Sequence, residues 1–296
     1  MQYMQVGNSD LVVSRISLGC MSMGLDHQEN IRLIHHALAE GINLLDTADL
    51  YDKGINEESV GKAIQGRRDK VFIATKVGNQ WRADGSGWDW NPTKAYIKQA
   101  VHQSLNRLQT DYIDLYQLHG GTLEDPTDET IEAFEELKQE GHIRYYGISS
   151  IRPNVIHRWL QESNLTSVMS QYSLLDRRPE EQTFDWIGEA GVGVLVRGAV
   201  AKGLLAGKPS REYMGYSHQQ VAMVQKKLQA VGRSAAHLAI QYCLQNPAVS
   251  TLVMGASTTE QISENVKALD MAPLPDEVWK EISTILSPQT YETHRV

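Results

Sequence analysis

Cysteine is nearly absent from this 296-residue chain: Cys20 and Cys243 are the two it has. Two are too few for a disulfide scaffold, and no C-x-x-C or zinc-ligand spacing occurs, so no structural metal is expected. Apolar runs never approach the ~18 to 20 residues that a membrane-spanning helix needs, and mean hydropathy is −0.37. Basic charge is short as well. With 28 Lys and Arg against 36 Asp and Glu the net charge is −8, the wrong balance for a nucleic-acid surface. The opening Met1 to Gly7 lacks the basic and apolar regions of a secretory signal. These absences together lead to the expectation of a cytoplasmic protein that binds neither nucleic acid nor membrane. A complete G-x-G-x-x-G fingerprint is missing too; Gly191-Val192-Gly193 is half of one, so no Rossmann dinucleotide site is expected.

What is present is alternation. Short β-branched or apolar runs, each followed by an amphipathic stretch, predict strands at 16–20, 42–46, 71–76, 113–118, 143–148, 167–171, 192–196 and 250–253. Helices are predicted between them at 30–40, 57–66, 93–109, 128–140, 153–162, 181–190, 237–245 and 259–269. Gly41, Gly141 and Gly191 stand where helices should stop. Eight βα units over this length favour a (β/α)8 TIM barrel over a doubly wound sheet of five or six strands. Residues 4–6 and 11–13, around Gly7-Asn8-Ser9-Asp10, predict an N-terminal hairpin, and 275–286 an extra C-terminal helix. With no linker, repeat or low-complexity tract, 1–296 is expected to be a single domain.

Barrel active sites lie at the C-terminal ends of the strands, so the polar residues closing the apolar runs become candidates. The second strand ends in Asp46, with Tyr51 five residues on; the third ends in Lys76 and the fourth in His119. A phenol titrates near 10 in water, and a neighbouring ammonium stabilises its phenolate and brings that value down. Asp46 would hold Lys76, His119 would orient a carbonyl oxygen, and Tyr51 would deliver a proton as hydride reaches carbon. The same residues also fit an ordinary Asp-Lys ion pair beside a hydrogen-bonded histidine.

The run Gly41-Ile42-Asn43-Leu44-Leu45-Asp46-Thr47-Ala48-Asp49-Leu50-Tyr51, followed by Glu57 and Gly61, resembles the aldo-keto reductase superfamily signature G-x-N-x-x-D-T-A-x-x-Y-x(n)-E-x-x-x-G. The resemblance continues through Ile73 to Val77, Asp111 to His119, Gly141 to Ser149 and Gly255 to Asn265, essentially the whole chain. It implies a (β/α)8 barrel, NADPH bound in extended form with NADH as the alternative, and reversible reduction of aldehydes and ketones. The superfamily's catalytic tetrad falls on Asp46, Tyr51, Lys76 and His119. A branch of the same superfamily, the potassium-channel β-subunits, implies a different role: a cofactor-sensing regulatory subunit with little turnover. That branch usually lacks the histidine found here as His119. A non-redox barrel such as a sugar isomerase would need metal ligands or a carboxylate base pair, neither of which is found.

By the same resemblance, cofactor contacts fall on Ser149 and Gln171 for the nicotinamide carboxamide, although Ser150 replaces the usual Asn or Arg after the serine. The loop after strand seven is expected to fold over the pyrophosphate with Gly198, Val200, Ala201, Lys202, Gly203 and Lys208, while Arg197 occupies the position of the usual aromatic ring that stacks on nicotinamide; a planar guanidinium can stack too. Gly255, Ser257, Gln261, Glu264 and Asn265 fall on the adenosine stretch, which lacks the usual cations for a 2′-phosphate, leaving Lys202, Lys208, Ser257 and Gln261 as compensation. Cys20 and Met21 end the first strand, beside the expected cofactor. Trp81, Trp88 and Trp90 follow Lys76 in a Gly-rich connection; they either wall a pocket for a flat or apolar substrate or pack the loop on itself. The acidic residues from Glu124 to Glu140 read as a helix N-terminus and a solvated face. Oligomeric state is not legible.

Overall fold

The computed structural model describes residues 1–296. The chain opens with an antiparallel hairpin, β1 (Tyr3–Gln5) and β2 (Val12–Ser14), with Met4 opposite Val13. There follow β3 (Ile16–Gly19), α1 (His27–Ala39), β4 (Leu44–Asp46), α2 (Ile55–Ala63) and β5 (Phe72–Val77). A second hairpin, β6 (Asn79–Trp81) and β7 (Trp88–Trp90), precedes α3 (Lys94–Leu108). The alternation resumes with β8 (Ile113–Leu118), α4 (Thr127–Gln139), β9 (Ile143–Ser149), α5 (Pro153–Glu162), β10 (Ser167–Gln171), α6 (Thr183–Glu189) and β11 (Gly193–Arg197). The chain closes with α7 (His218–Ala230), α8 (Ala235–Gln245), β12 (Val249–Gly255), α9 (Thr259–Lys267) and α10 (Asp276–Ser283). No helix is long and apolar enough to cross a membrane.

Eight strands pair in parallel around a closed ring in the order β3, β4, β5, β8, β9, β10, β11, β12, and β12 returns to β3. This is the (β/α)8 barrel, with strands within three residues of the expected limits. The helices begin where side chains satisfy their free N–H groups: Asp26 accepts from Gln28 and Glu29 at α1, and Thr93 caps α3. Gly41, Gly141 and Gly191 sit just past α1, α4 and α6 with φ of 88°, 81° and 67°, the left-handed region a glycine enters without cost. The expected N-terminal hairpin and C-terminal helix are both present. Helix α7, whose Ser217 and Gln220 form a capping box, and the β6–β7 hairpin were not anticipated.

The hairpin β1–β2 stoppers the N-terminal end of the barrel. Val6, Leu11 and Val13 pack with Leu44, Ala74, Leu115, Met169, Leu195 and Val253 inside it, while a separate, larger apolar cluster fills the space between strands and helices. With the bottom closed, the only rim left for polar chemistry is the C-terminal one.

Candidate active site

Parallel pairing of β4 with β5 and of β5 with β8 brings three strand ends together. The Lys76 ammonium is fully buried and donates to Asp46 Oδ2 at 2.8 Å, to the Thr47 carbonyl at 2.7 Å and to the Tyr51 hydroxyl at 3.4 Å. Tyr51 reaches this point from the turn Tyr51–Gly54, in which Asp52 and Lys53 are both left-handed, with φ of 48° and 54°. Non-glycine residues pay for that conformation, and here it folds the chain back so that α2 can start. His119 packs against the phenol, the two rings edge-on with centroids 5.9 Å apart. Buried Asp46 Oδ1 and His119 Nδ1 have no hydrogen-bond partner. All four rim residues picked out from the sequence are thus brought together.

Burial sets the protonation of the group. It pushes the Asp46 carboxyl up while the contact with Lys76 pulls it back. Burial also pulls Lys76 down, but Asp46 and Tyr51 outweigh it and the ammonium is raised, held by three oxygens; we take the pair as ionised. His119 is pushed down to about 3, first by burial and then by Lys76 and Arg197, so its imidazole is neutral. Tyr51 departs from expectation. Burial raises its phenol above the ordinary value, Lys76 and Arg197 pull it down without overcoming this, and Asp46 raises it further. The neighbours have the anticipated signs, but the phenol is buried and charge is costly there.

Behind Lys76 lies a carboxyl the sequence did not single out except as part of the signature. Asp49 is buried, its Oδ1 unpartnered, and burial followed by the proximity of Glu57 raises it to about 8, against the pull of Arg107. Glu57, equally buried, accepts from Thr75 at 2.5 Å and Arg107 at 2.7 Å. Asp49 is therefore protonated in the folded chain and ionised in the unfolded chain between 3.8 and about 8. Folding binds a proton in this window, so stability is greatest below it and falls as pH rises, by at most about 1.4 kcal/mol per pH unit. Asp49→Asn removes that slope. Thermal unfolding from about pH 5 to about pH 8 is expected to show a midpoint gap that widens in favour of the variant; a gap independent of pH would mean that Asp49 is ionised when folded.

The cofactor candidates occupy the neighbouring arc of the rim. Ser149, ending β9, has a hydroxyl that makes no protein hydrogen bond, whereas Ser150 Oγ accepts from Arg152 N at 3.2 Å and is spent on the start of α5. Gln171, ending β10, is engaged on both sides: Nε2 donates to Asp176 at 2.8 Å and Oε1 accepts from Arg197 at 2.8 Å. The second amide hydrogen faces Met214 Sδ at 3.8 Å, so one oxygen lone pair remains. Beyond β11, Gly198, Ala201, Lys202 and Gly203 take φ of 78°, 47°, 56° and 90°, a tightly coiled loop that includes Val200. The Lys208 side chain lies over Gly203, where an added Cβ would come within 2.8 Å of it. Lys202 and Lys208 are exposed and pair with no carboxylate, the donor set an anionic phosphate asks for.

At β12 the Gly255 to Thr258 turn starts α9 with Thr258 as cap, and Gln261 folds back to accept from Ser257 N at 2.8 Å. Glu264 pairs with Lys267 and Asn265 is half-buried on α9. Cys20 is wholly buried, its thiol raised by burial and its carbonyl accepting from Asn56 Nδ2 at 2.8 Å and Met23 N at 3.0 Å, so contrary to expectation it exposes no atom to a ligand. Met21 is exposed. The unpartnered His119 nitrogen, the Ser149 hydroxyl and the two unpaired lysines fit a nicotinamide dinucleotide.

The tryptophans divide. Trp81 and Trp88, paired across β6–β7, join Met21, Leu25, Leu50 and Ile55 around an open apolar cleft of about 570 Å³ that includes Tyr51. Trp90 instead packs over Gly78 and Gly120 and donates from Nε1 to Asp125 at 2.8 Å; it holds the loop together.

A parallel barrel with its polar cluster at the C-terminal rim is the architecture of barrel enzymes. Residues 15–287 match the model of the Aldo/keto reductase family, and the chain belongs to that family of oxidoreductases, which use nicotinamide cofactors and reduce small carbonyl compounds. The chain is 49% identical over 306 residues to an uncharacterized oxidoreductase, YqkF, of Bacillus subtilis (strain 168), with both chains covered completely. It is 30% identical over 307 residues to an NADH-specific methylglyoxal reductase of Escherichia coli (strain K12), covering 92% of this chain and 94% of that one. The holo form of aldo-keto reductase AKR11C1 from Bacillus halodurans superposes with a TM-score of 0.97 at 53% identity over the full length of both chains.

Proposed function

We propose that this protein is an NADPH-dependent carbonyl reductase that converts aldehydes or ketones with a flat or apolar body to alcohols, with 1–296 acting as one domain. The observation that carries this reading is the buried Lys76 ammonium, which touches both Asp46 and the Tyr51 hydroxyl beside a neutral His119.

Nicotinamide, when bound, supplies the hydride. Tyr51 is the acid: its raised phenol stays protonated at neutral pH, and Lys76 stabilises the phenolate left once the proton is given to the carbonyl oxygen. Asp46 keeps Lys76 charged and fixed. His119, uncharged, has an N–H with which to orient the carbonyl oxygen without competing as a proton source. Ser149 and the free lone pair of the Gln171 oxygen would hold the carboxamide and Arg197 would face the ring, with Met21 bordering it. Gly198, Val200, Ala201, Lys202, Gly203 and Lys208 would enclose the phosphates, and Gly255, Ser257, Gln261, Glu264 and Asn265 the adenosine end. The two unpaired lysines favour NADPH; the E. coli relative's NADH specificity makes the comparison of both nucleotides part of the test.

The test is the fall in nicotinamide absorbance with NADPH, then NADH, and a panel including 4-nitrobenzaldehyde and methylglyoxal. Faster oxidation of NADPH is expected, and tight binding without turnover on any carbonyl would instead favour a cofactor-sensing subunit. The cleft supplies a second check. Trp88→Ala is expected to raise KM for 4-nitrobenzaldehyde about tenfold through lost apolar burial, with kcat and the KM for methylglyoxal little changed; equal effects on both substrates would remove Trp88 from the substrate wall.

A further inference from the structure

Arg197 has a single hydrogen-bond partner, Gln171 Oε1 at 2.8 Å, and no carboxylate within ion-pair distance. What directs that guanidinium is therefore the orientation of one amide. Gln171 could point either way on its own, because its oxygen and nitrogen are nearly the same size. The choice is made by Asp176, which is completely buried at the end of the tight turn Ser173–Asp176, where its backbone exchanges two hydrogen bonds with Ser173.

Asp176 is also gripped from the far side: Arg178 Nε donates to Oδ1 at 2.7 Å and Nη2 to Oδ2 at 2.8 Å. A carboxylate in this fork can only accept, so the Gln171 NH2 must face it, at 2.8 Å, with its other hydrogen toward the weak acceptor Met214 Sδ at 3.8 Å, and the Gln171 oxygen must face Arg197. The fork is backed in turn by the C-terminal tail. Arg178 lies 5.2 Å from the Tyr291 ring centroid, and the tail is tied down by Tyr291 N and Arg295, both donating to Glu181.

We propose that Asp176 is a positioning residue for the nucleotide: through the forced orientation of Gln171 it holds the Arg197 guanidinium at the rim where the nicotinamide ring is to be met, and Arg178 with the C-terminal tail keeps Asp176 in place. This rests on the nicotinamide-dinucleotide reading above. Without the carboxylate, the Gln171 amide is free to turn its NH2 toward Arg197, setting donor against donor and releasing the guanidinium.

The experiment is a double-mutant cycle read by NADPH affinity, from quenching of protein fluorescence, on wild type, Asp176→Asn, Arg197→Ala and the double variant. Asp176→Asn is expected to raise Kd about tenfold in the wild-type background and less than about twofold when Arg197 is already Ala, since residues acting as one chain do not add. An unchanged Kd for Asp176→Asn, or the same fold-change in both backgrounds, would overturn the proposal, the latter meaning that Asp176 acts by a route other than Arg197. Circular dichroism identifies variants that have lost the fold; should Asp176→Asn be one of them, Asp176→Glu, which keeps a charge for Arg178 but moves the carboxylate out of register with Gln171, takes its place in the cycle with the same expectations. Failure of the wild-type protein to bind NADPH or NADH would overturn the nucleotide reading itself, and is visible before any variant is made.

Discussion

Tyr51→Phe is expected to lower kcat by about a thousandfold or more while leaving NADPH affinity within about twofold, since a positioned general acid contributes on the order of 10² to 10⁴ and phenylalanine keeps the ring. The hydroxyl it removes lies 3.4 Å from Lys76 Nζ, a long contact beside two shorter ones to Asp46 and Thr47, so the ammonium stays anchored without it. The edge-on packing against His119 is preserved as well. Single-turnover measurement with saturating NADPH separates the chemical step from binding. Near-normal turnover would reassign the acid, and His119, whose ring is neutral down to about pH 3, is poorly suited to take over as a proton source.

Lys76→Met is expected to damage activity and stability together. It leaves the Asp46 carboxylate buried with no counter-charge, and breaking one side of a buried pair costs about 3 to 5 kcal/mol. The loss should depend on pH with a definite sign. Deprived of its partner, Asp46 has only burial acting on it and is pushed further up; the folded variant then holds a proton that the unfolded chain releases, so its stability falls as pH rises above the ordinary carboxylate range. Adding Asp46→Asn should return most of the stability and none of the turnover, because a neutral amide can be buried more cheaply than an unpaired charge. Thermal unfolding of the two variants across pH, beside their kcat values, checks both halves. A double variant no more stable than Lys76→Met would mean that the pair matters for packing rather than charge.

Much of this arrangement was legible from residue order. Barrel strands are buried on both faces and read as short apolar runs, and the residues ending them fall at the C-terminal rim by topology alone, which is why Asp46, Lys76 and His119 converge as anticipated. Helix α7 escaped because its buried Val221, Val224 and Leu228 are diluted among glutamines and lysines. The β6–β7 hairpin escaped because three residues a side around the Arg82 to Gly87 loop are too few for a period to show. Trp81 and Trp90 are alike in sequence context, and only the close approach of Gly78 and Gly120 sends Trp90 inward. The direction of the Tyr51 shift was missed for a similar reason: sequence supplies the signs of neighbouring charges, but burial depends on what the whole rim encloses. Asp176 carries no motif of its own, and its importance rests on a hydrogen bond to a side chain five residues earlier.

The ring is fastened where its two ends meet. Arg15 donates to the carbonyls of Leu244, Ser250 and Val249, and Ser250 Oγ donates to the Gln5 carbonyl, contacts that span up to 245 residues. On a ribosome making the chain from its N-terminus, β3 is an early strand that waits for its second neighbour until β12, the final strand of the ring, is made. Until then its flank is an unsatisfied strand edge, and the β1–β2 stopper has only part of a tube to sit in. The nascent barrel is thus an open staircase for most of its synthesis, and a stall before β12 would leave the kind of sticky edge that chaperones cover.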